Sequence, residues 1–372
     1  MTNNTASSKA NLPAPAPAFM LKLCNEKGEE DTDITDNIRP RLISLTVTDN
    51  RGLAADQMTL VLDDSDQKIM MPERGKRVVV YAGRRGFTLI KLGEFNIDQV
   101  KHEGAPDKVT VVGRSVDFSK TLNKKQEYSW HDISLGQIME SMASRYKLQT
   151  VITPSIAQIH IDHADQSQET DLSFLQRLAR RYGLELIAKF NKLMLIYPGN
   201  GVNAQGEAVL PITITRGDGD RHSFELSDRL SYTGVSARWL DTSQPKKQMP
   251  QVDVSRKPAP DDKGAEYMAG NAGNIYVIST LFASKEVATK AAQDLWKKFQ
   301  ANGASFTITL ANGRAELTPE IPVSVSGFKG VIDRTPWIIN KVTHTIDGNG
   351  FITQLDLEIK LDETLSDIKT GS

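Results

Sequence analysis

Between Ile43 and Val112 hydrophobic side chains recur at every second position. Ile43, Leu45 and Val47 alternate with polar residues, and Met58, Leu60 and Leu62 repeat the pattern. Val78–Tyr81, Phe87–Leu92, Phe95–Val100 and Val109–Val112 follow, separated by Gly, Asp and Pro. A period of two places one set of side chains on one face of an extended strand. With short turns and no helical stripe, this predicts an antiparallel sheet or barrel with one buried face.

The period lengthens near residue 130. Ser134 followed by Gln137 has capping-box spacing, and Leu135, Ile138, Met139, Met142 and Tyr146 form a helical stripe. A second helix is predicted from Asp171, burying Leu172, Leu175, Leu178 and Tyr182 and stopping at Gly183. Leu184–Ala188 and Leu193–Tyr197 then read as a hairpin. Strand character returns at Ile212 and over Leu230–Leu240. Residues 242–274, rich in Pro, Lys, Asp and Gly, read as an exposed loop. Ile275–Leu281 is a predicted strand. Ser284 then caps a helix carrying Val287, Ala288, Ala291, Leu295, Trp296 and Phe299, which ends at Asn302-Gly303. Ser305–Leu310, Pro322–Ser326, Trp337–His344 and Phe351–Ile359 complete the strands.

An internal repeat organises this list. Phe95-Asn-Ile-Asp-Gln-Val-Lys-His102 matches Trp337-Ile-Ile-Asn-Lys-Val-Thr-His344 position by position. Upstream of each lies Pro-Glu, a β-branched run and glycine: Pro72-Glu73 to Gly83, and Pro319-Glu320 to Gly327. Two copies of one β-domain, split by an α/β unit, account for the order. Phe95, Ile97 and Val100 then anchor one copy, and Trp337, Ile339 and Val342 the other. The predicted fold is mainly β with an α+β insertion: two antiparallel β-barrel domains plus a small α/β domain. The expected division is a flexible arm over 1–18, a first barrel over 19–120, the α/β insertion over 121–200, a second barrel over 201–365 and a polar tail over 366–372.

Composition narrows the function classes. Lys plus Arg number 45 against 46 for Asp plus Glu, so no positive footprint for nucleic acid is expected. Cys24 is the only cysteine, which excludes an intrachain disulfide. Met1–Ala10 lacks the basic start and apolar stretch of a signal peptide, and no run has the length of a membrane span. The chain is expected to be soluble when made.

Candidate chemistry is sparse. His160-Ile-Asp-His163 with Asp165 is the best metal-like cluster, but i and i+3 of an extended segment point to opposite faces. Asp31, Asp33 and Asp36, and Asp218 with Asp220, lack the glycine and terminal Glu of a calcium loop. The chain has no phosphate-cradling glycine loop and no Gly-x-Ser-x-Gly turn. No segment shows an acidic residue set into an apolar helix, a setting that would raise a general acid's pKa. Arg177, Arg180 and Arg181 lie on the polar side of the second helix, a solvated face or a contact for an acidic partner. Trp337, inside the repeat, reads as a core or interface anchor in preference to a carbohydrate platform. No cofactor or catalytic residue is assigned.

Gln166-Ser-Gln-Glu-Thr-Asp171-Leu-Ser-Phe174-Leu-Gln-Arg177-Leu-Ala-Arg-Arg-Tyr-Gly183 resembles the Gln-x-x-Glu-Ser-Asp-x-x-Phe-Leu-x-Arg-Leu-Ala-x-x-x-Gly segment of the phage late control protein D family. The N-terminal hub region of VgrG spike proteins is similar. Ala55–Asp64 with Pro72-Glu-Arg-Gly75, Ser129-Trp130, and Trp337–His344 closing with Gly350–Thr353 match in the same order, over roughly residues 40–360. A departure stands at Pro319, followed by Glu-Ile-Pro where the family has Pro-x-x-Gly, so a turn of different shape is expected there. The resemblance implies a baseplate hub of a contractile phage tail or tail-like injection machine. It also implies two tail-tube-like barrels per chain and a homotrimer forming a pseudo-sixfold ring between the tail tube protein and the central spike protein, beside other baseplate proteins. The implied place is the virion tail, after synthesis in the bacterial cytoplasm. The role is mechanical, and no fused spike, lysozyme or effector domain is expected. The rival reading is a tail-associated peptidoglycan hydrolase.

Overall fold

The computed structural model describes residues 16–25, 28–115, 125–189, 191–199, 201, 207–226, 232–240, 250–256, 274–282, 284–301, 303–360 and 366–371. The first seven strands are β1 (Pro17–Cys24), β2 (Glu30–Asp33), β3 (Leu42–Asn50), β4 (Gln57–Asp63), β5 (Arg77–Arg84), β6 (Ile90–Glu103) and β7 (Lys108–Ser115), with a one-turn helix α1 (Thr35–Ile38) before β3. An α/β unit follows: β8 (Lys125–Ser134), α2 (Leu135–Arg145), β9 (Gln149–Ile152), α3 (Pro154–Ala157), β10 (His160–Thr170), α4 (Asp171–Arg181), β11 (Glu185–Lys189) and β12 (Lys192–Ile196). The chain continues through β13 (Ile212–Thr215), β14 (Gly219–Leu226), β15 (Gly234–Trp239), β16 (Gln251–Arg256), β17 (Ile275–Phe282) and α5 (Lys285–Ala301). It ends with β18 (Ala304–Leu310), β19 (Pro322–Ser326), α6 (Gly330–Arg334), β20 (Trp337–Asp347), β21 (Gly350–Ile359) and β22 (Ser366–Gly371).

Neither β-domain is a closed barrel. Among the described residues a single 13-stranded sheet runs β14-β18-β21-β20-β3-β4-β7-β6-β5-β1-β2, with β19 on β20 and β13 on β19. Two equal series are hidden in that path. The first is β3-β4-β7-β6-β5-β1 and the second β14-β18-β21-β20-β19-β13, fused where β3 pairs with β20. The outermost strand differs: β1 is antiparallel to β5, whereas β13 is parallel to β19. Phe19, Leu21, Leu45, Val47, Val78 and Phe95 share one core, so β1 and β3, at opposite ends of the first series, curl over the same apolar centre. That curl replaces ring closure.

The correspondence reaches individual residues. Phe95 faces Val78, and Trp337 faces Val323. Opposite β7 the register slips between Ile97 and Gln99, and opposite β21 between Ile339 and Lys341. The bulged residues, Asp98 and Asn340, hold the same place in the repeat. Ile97 exchanges backbone hydrogen bonds with Gly75 and Lys76, and Ile339 exchanges the equivalent pair with Glu320 and Ile321. Glu320 therefore stands where Gly75 stands, two places from the alignment of the Pro-Glu dipeptides in sequence. Its φ of +73° matches the +86° of Gly75, so the turn keeps its shape without glycine.

Alternation explains the strands, and caps explain the helices. Ser134 Oγ accepts from the Gln137 amide at 3.3 Å while Gln137 Oε1 accepts from the Ser134 amide at 3.1 Å, fixing the start of α2. Phe174, Leu175, Leu178 and Ala179 turn α4 into the α/β core, with Leu172 only partly buried. Phe87 is an exposed turn residue, and the strand expected from it begins at Ile90.

Three boundaries differ from expectation. Strand β1 begins at Pro17, inside the expected arm, whose first fifteen residues lie outside the described set. The expected loop 242–274 contains β16, and the expected polar tail contains β22, which pairs antiparallel with it from Gln251↔Gly371 to Arg256↔Ser366. The expected second barrel, 201–365, also holds a separate layer. Strands β17-β15-β16-β22 form a four-stranded sheet under α5, with Val235, Ala237, Val252, Val254, Ala288, Ala292 and Trp296 between them. Three of its strands and α5 are inserted between β14 and β18, where the first series has only the β3–β4 loop, and β22 joins them from beyond β21. Val252 and Val254 alternate with polar residues, but the Pro-, Lys-, Asp- and Gly-rich sequence around them hid so short a pattern.

Candidate functional site

The β3–β4 loop is where the parts of the molecule meet. Gly52, at φ +73°, lies against Glu185 of the α/β unit so closely that a Cβ there would collide with its carboxylate. The neighbouring Arg51 reaches into the second series. Its Nε lies 2.5 Å from Glu320 Oε1, a charge contact without hydrogen-bond alignment, and its guanidinium also pairs with Glu358. Glu320 Oε2 accepts from the Gly199 amide at 2.9 Å, which brings in the end of the α/β unit. Arg51 and Glu320 side chains are each only 11% exposed. Burial pushes the Glu320 carboxyl above its ordinary range, opposed by the Arg51 charge.

A second lock lies alongside. Lys189, on β11, donates to Asp49 at 2.5 Å, to Asp56 at 2.9 Å and to the Asn50 carbonyl at 2.6 Å. Burial raises the Asp49 carboxyl to about 6, with Lys189 pulling the other way. Burial works to lower the lysine, but the two carboxylates hold it above its usual value. Removing either partner of such a pair strands a buried charge, so these contacts fix geometry more than they add stability. Together they tie both sheet series and the α/β unit into one body.

The repeat anchors are interior. Phe95, Trp337, Ile339 and Val342 are fully buried and Ile97 nearly so, while Val100 is partly exposed. Trp337 Nε1 donates to the Ile332 carbonyl at 3.0 Å. The three arginines separate. Arg177 lies over the Phe174 ring at 5.1 Å, pairs with Glu169 and donates to the Asp165 carbonyl, whereas Arg180 and Arg181 are exposed at the end of α4.

The metal-like segment is part of strand β10. There His131 and His163 ring nitrogens approach to 3.0 Å and His163 Nε2 lies 2.9 Å from Asp165. Among the described residues no three His, Cys, Asp or Glu groups assemble to hold a metal. Asp33 caps Thr35, Asp36 pairs with Arg39 and Asp218 caps Thr215, so most of the other acidic candidates serve local turns. Burial raises the Cys24 thiol, the wrong direction for a nucleophile. Sequence alone did not single out Asp171, which is fully buried at the start of α4, accepting from Tyr146 Oη at 2.9 Å and Gln166 Nε2 at 2.7 Å. Its place at a helix N-terminus just after Thr170 was the available signal. No described helix is long and apolar enough to cross a membrane.

The chain is similar to known proteins. The family model described as phage tail baseplate hub (GPD) matches residues 92–350. The probable baseplate hub proteins of Escherichia phage 186 and Escherichia phage P2 are each 45% identical to the chain. The alignments cover 94% and 93% of it, and 94% of each relative. Among solved structures, the 43 kDa tail protein of prophage MuSo2 from Shewanella oneidensis has TM-score 0.64 at 13% identity, over 92% of this chain and 98% of that one. A tail protein from Neisseria meningitidis MC58 has TM-score 0.62 at 13% identity, over 92% and 96%. A chain of the Francisella PdpA-VgrG complex has TM-score 0.55 at 11% identity, over 97% and 55%. Fold, chain length and sequence agree, and the chain belongs to the phage tail baseplate hub family.

Proposed function

We propose that three copies of this chain form a pseudo-sixfold ring that joins a sixfold tail tube to a threefold central spike, and that its role is mechanical, without catalysis. The observation that carries this reading is the duplicated sheet: two equivalent strand series per chain, fused at the β3–β20 pairing. Three chains bearing two equivalent units present six similar faces to the tube while retaining threefold symmetry for the spike. The buried locks at Arg51 and Lys189 support it, because a ring that transmits force needs units that do not shift against each other. The partners under this reading are further copies of the chain, the tail tube, the spike and neighbouring baseplate proteins. Synthesis in the host cytoplasm precedes incorporation into the virion tail. Tails assembled without this chain are expected to contain tubes detached from spikes, and attached spikes in such tails would overturn the adaptor role. Cell walls incubated with the pure protein are expected to release no soluble fragments, and release would establish a hydrolase instead.

A further inference from the structure

The two copies of the repeat differ in what covers them. In the second copy, Lys341–Asp347 of β20 is paired by Asn50–Ser44 of β3, and Val342 and His344 are buried. In the first copy β5 pairs with β6 only from Ile90 to Asn96. Among the described residues no strand pairs with the same edge of β6 from Gln99 to Glu103. His102 is exposed there, whereas the equivalent residue His344 is buried. At the other end of the sheet β14, the equivalent of β3, pairs among the described residues with β18 alone. Leu45 and Val47 of β3 are buried; the corresponding His222 is exposed, Phe224 partly so, and Leu226 is 51% exposed. One joint is made inside the chain, and both halves of a second are left open.

We propose that β14 of one chain adds to the free edge of β6 in the next, in the register that β3 and β20 adopt within the chain. This rests on the trimeric-ring reading and specifies its contacts. The internal pairs Asp49↔Val342, Thr48↔Thr343, Val47↔His344 and Thr46↔Thr345 fix the register. The bulges and the β18 register carry these over to Leu226↔Val100, Glu225↔Lys101, Phe224↔His102 and Ser223↔Glu103. The chemistry of the derived pairs agrees. Two apolar groups, the half-exposed Leu226 and the partly exposed Val100, cover each other. Glu225 meets Lys101. The Ser223 hydroxyl donates to Glu103 where Thr46 and Thr345 hydroxyls lie 3.5 Å apart. Unpaired strand edges of matching shape are templates for such addition. Repeated head to tail, the internal and external joints alternate around a closed ring, so the sheet has no end.

The test is a cysteine pair in the full chain, incorporated into tails, with Cys24→Ser throughout. Thr46→Cys with Thr345→Cys supplies the internal control. Glu103→Cys with Ser223→Cys is expected to convert the chain into covalent trimers on non-reducing gels of assembled tails. If the control pair closes, imaging counts three copies per ring and the Glu103/Ser223 pair leaves single chains, the joint is wrong while the ring stands. If imaging finds no three-copy ring, the joint and the ring fail together. A charge swap decides the matter without thiols. Lys101→Glu or Glu225→Lys alone should lower hub content of tails about tenfold, through like charges repeated at every joint, and the double swap should restore it. Failure of the double swap to restore content overturns the register.

Discussion

Glu320 carries a backbone cost and a charge at once. Its φ of +73° is left-handed, where the equivalent Gly75 sits freely, and its carboxylate holds the buried Arg51. Left-handed backbone costs a residue with a Cβ about 1–2 kcal/mol, while breaking a buried ion pair costs about 3–5 kcal/mol. Glu320→Gly is therefore expected to lose about 2–3 kcal/mol in urea unfolding, and a gain would mean that Arg51 is satisfied without it. His344 sets a pH dependence. Burial lowers its pKa to about 4 from 6.5, so the folded state holds fewer protons than the unfolded state between those values. Its contribution is complete above pH 6.5 and is lost as pH falls towards 4, an effect of about 3 kcal/mol. Substituting His344→Asn should flatten the stability–pH profile in that window; an unchanged slope would assign the effect to other groups. Phe95→Ala and Trp337→Ala are each expected to cost about 3–5 kcal/mol, and losses below about 0.5 kcal/mol would place these rings at a surface. The aromatic–Ile–Val pattern of these anchors was legible in the sequence. The Glu320–Gly75 equivalence was not, because a glutamate in a left-handed turn looks like any other glutamate until its hydrogen-bond partners are known.

At the scale of elements, periodicity and caps did most of the work. The start of α2 follows from Ser134 and Gln137, and most strands of both series follow from alternation, whereas β1 and β14 were not read from it. Strands β16 and β22 escaped because their polar surroundings and terminal position resemble loop and tail, and their pairing partner lies more than a hundred residues away. Such pairing is long-range information that no local window contains. Removing residues 361–372 should speed hydrogen exchange at the amides of β16 that pair with β22, while β3–β7 stay protected. Unchanged protection of β16 would show that β15 and α5 hold it unaided. The barrel expectation failed for a related reason. Alternation reports which face is buried but not whether the last strand meets the first, and here the curl is closed by packing, not by hydrogen bonds.

For the whole molecule, the eight-residue repeat gave the duplication, and the structure supplies its consequence: one continuous sheet with an open strand edge in each series. Among the described residues, the edge of β6 that no strand pairs carries exposed side chains at positions that the other copy buries. In the proposed ring, three such chains complete each other. Imaging of assembled tails, counting hub copies and locating the strand series, tests it most directly. The predicted result is three chains per tail, with six equivalent series around one channel and alternating internal and external joints. Six chains per tail, or three chains whose series do not occupy sixfold-like positions, would contradict it.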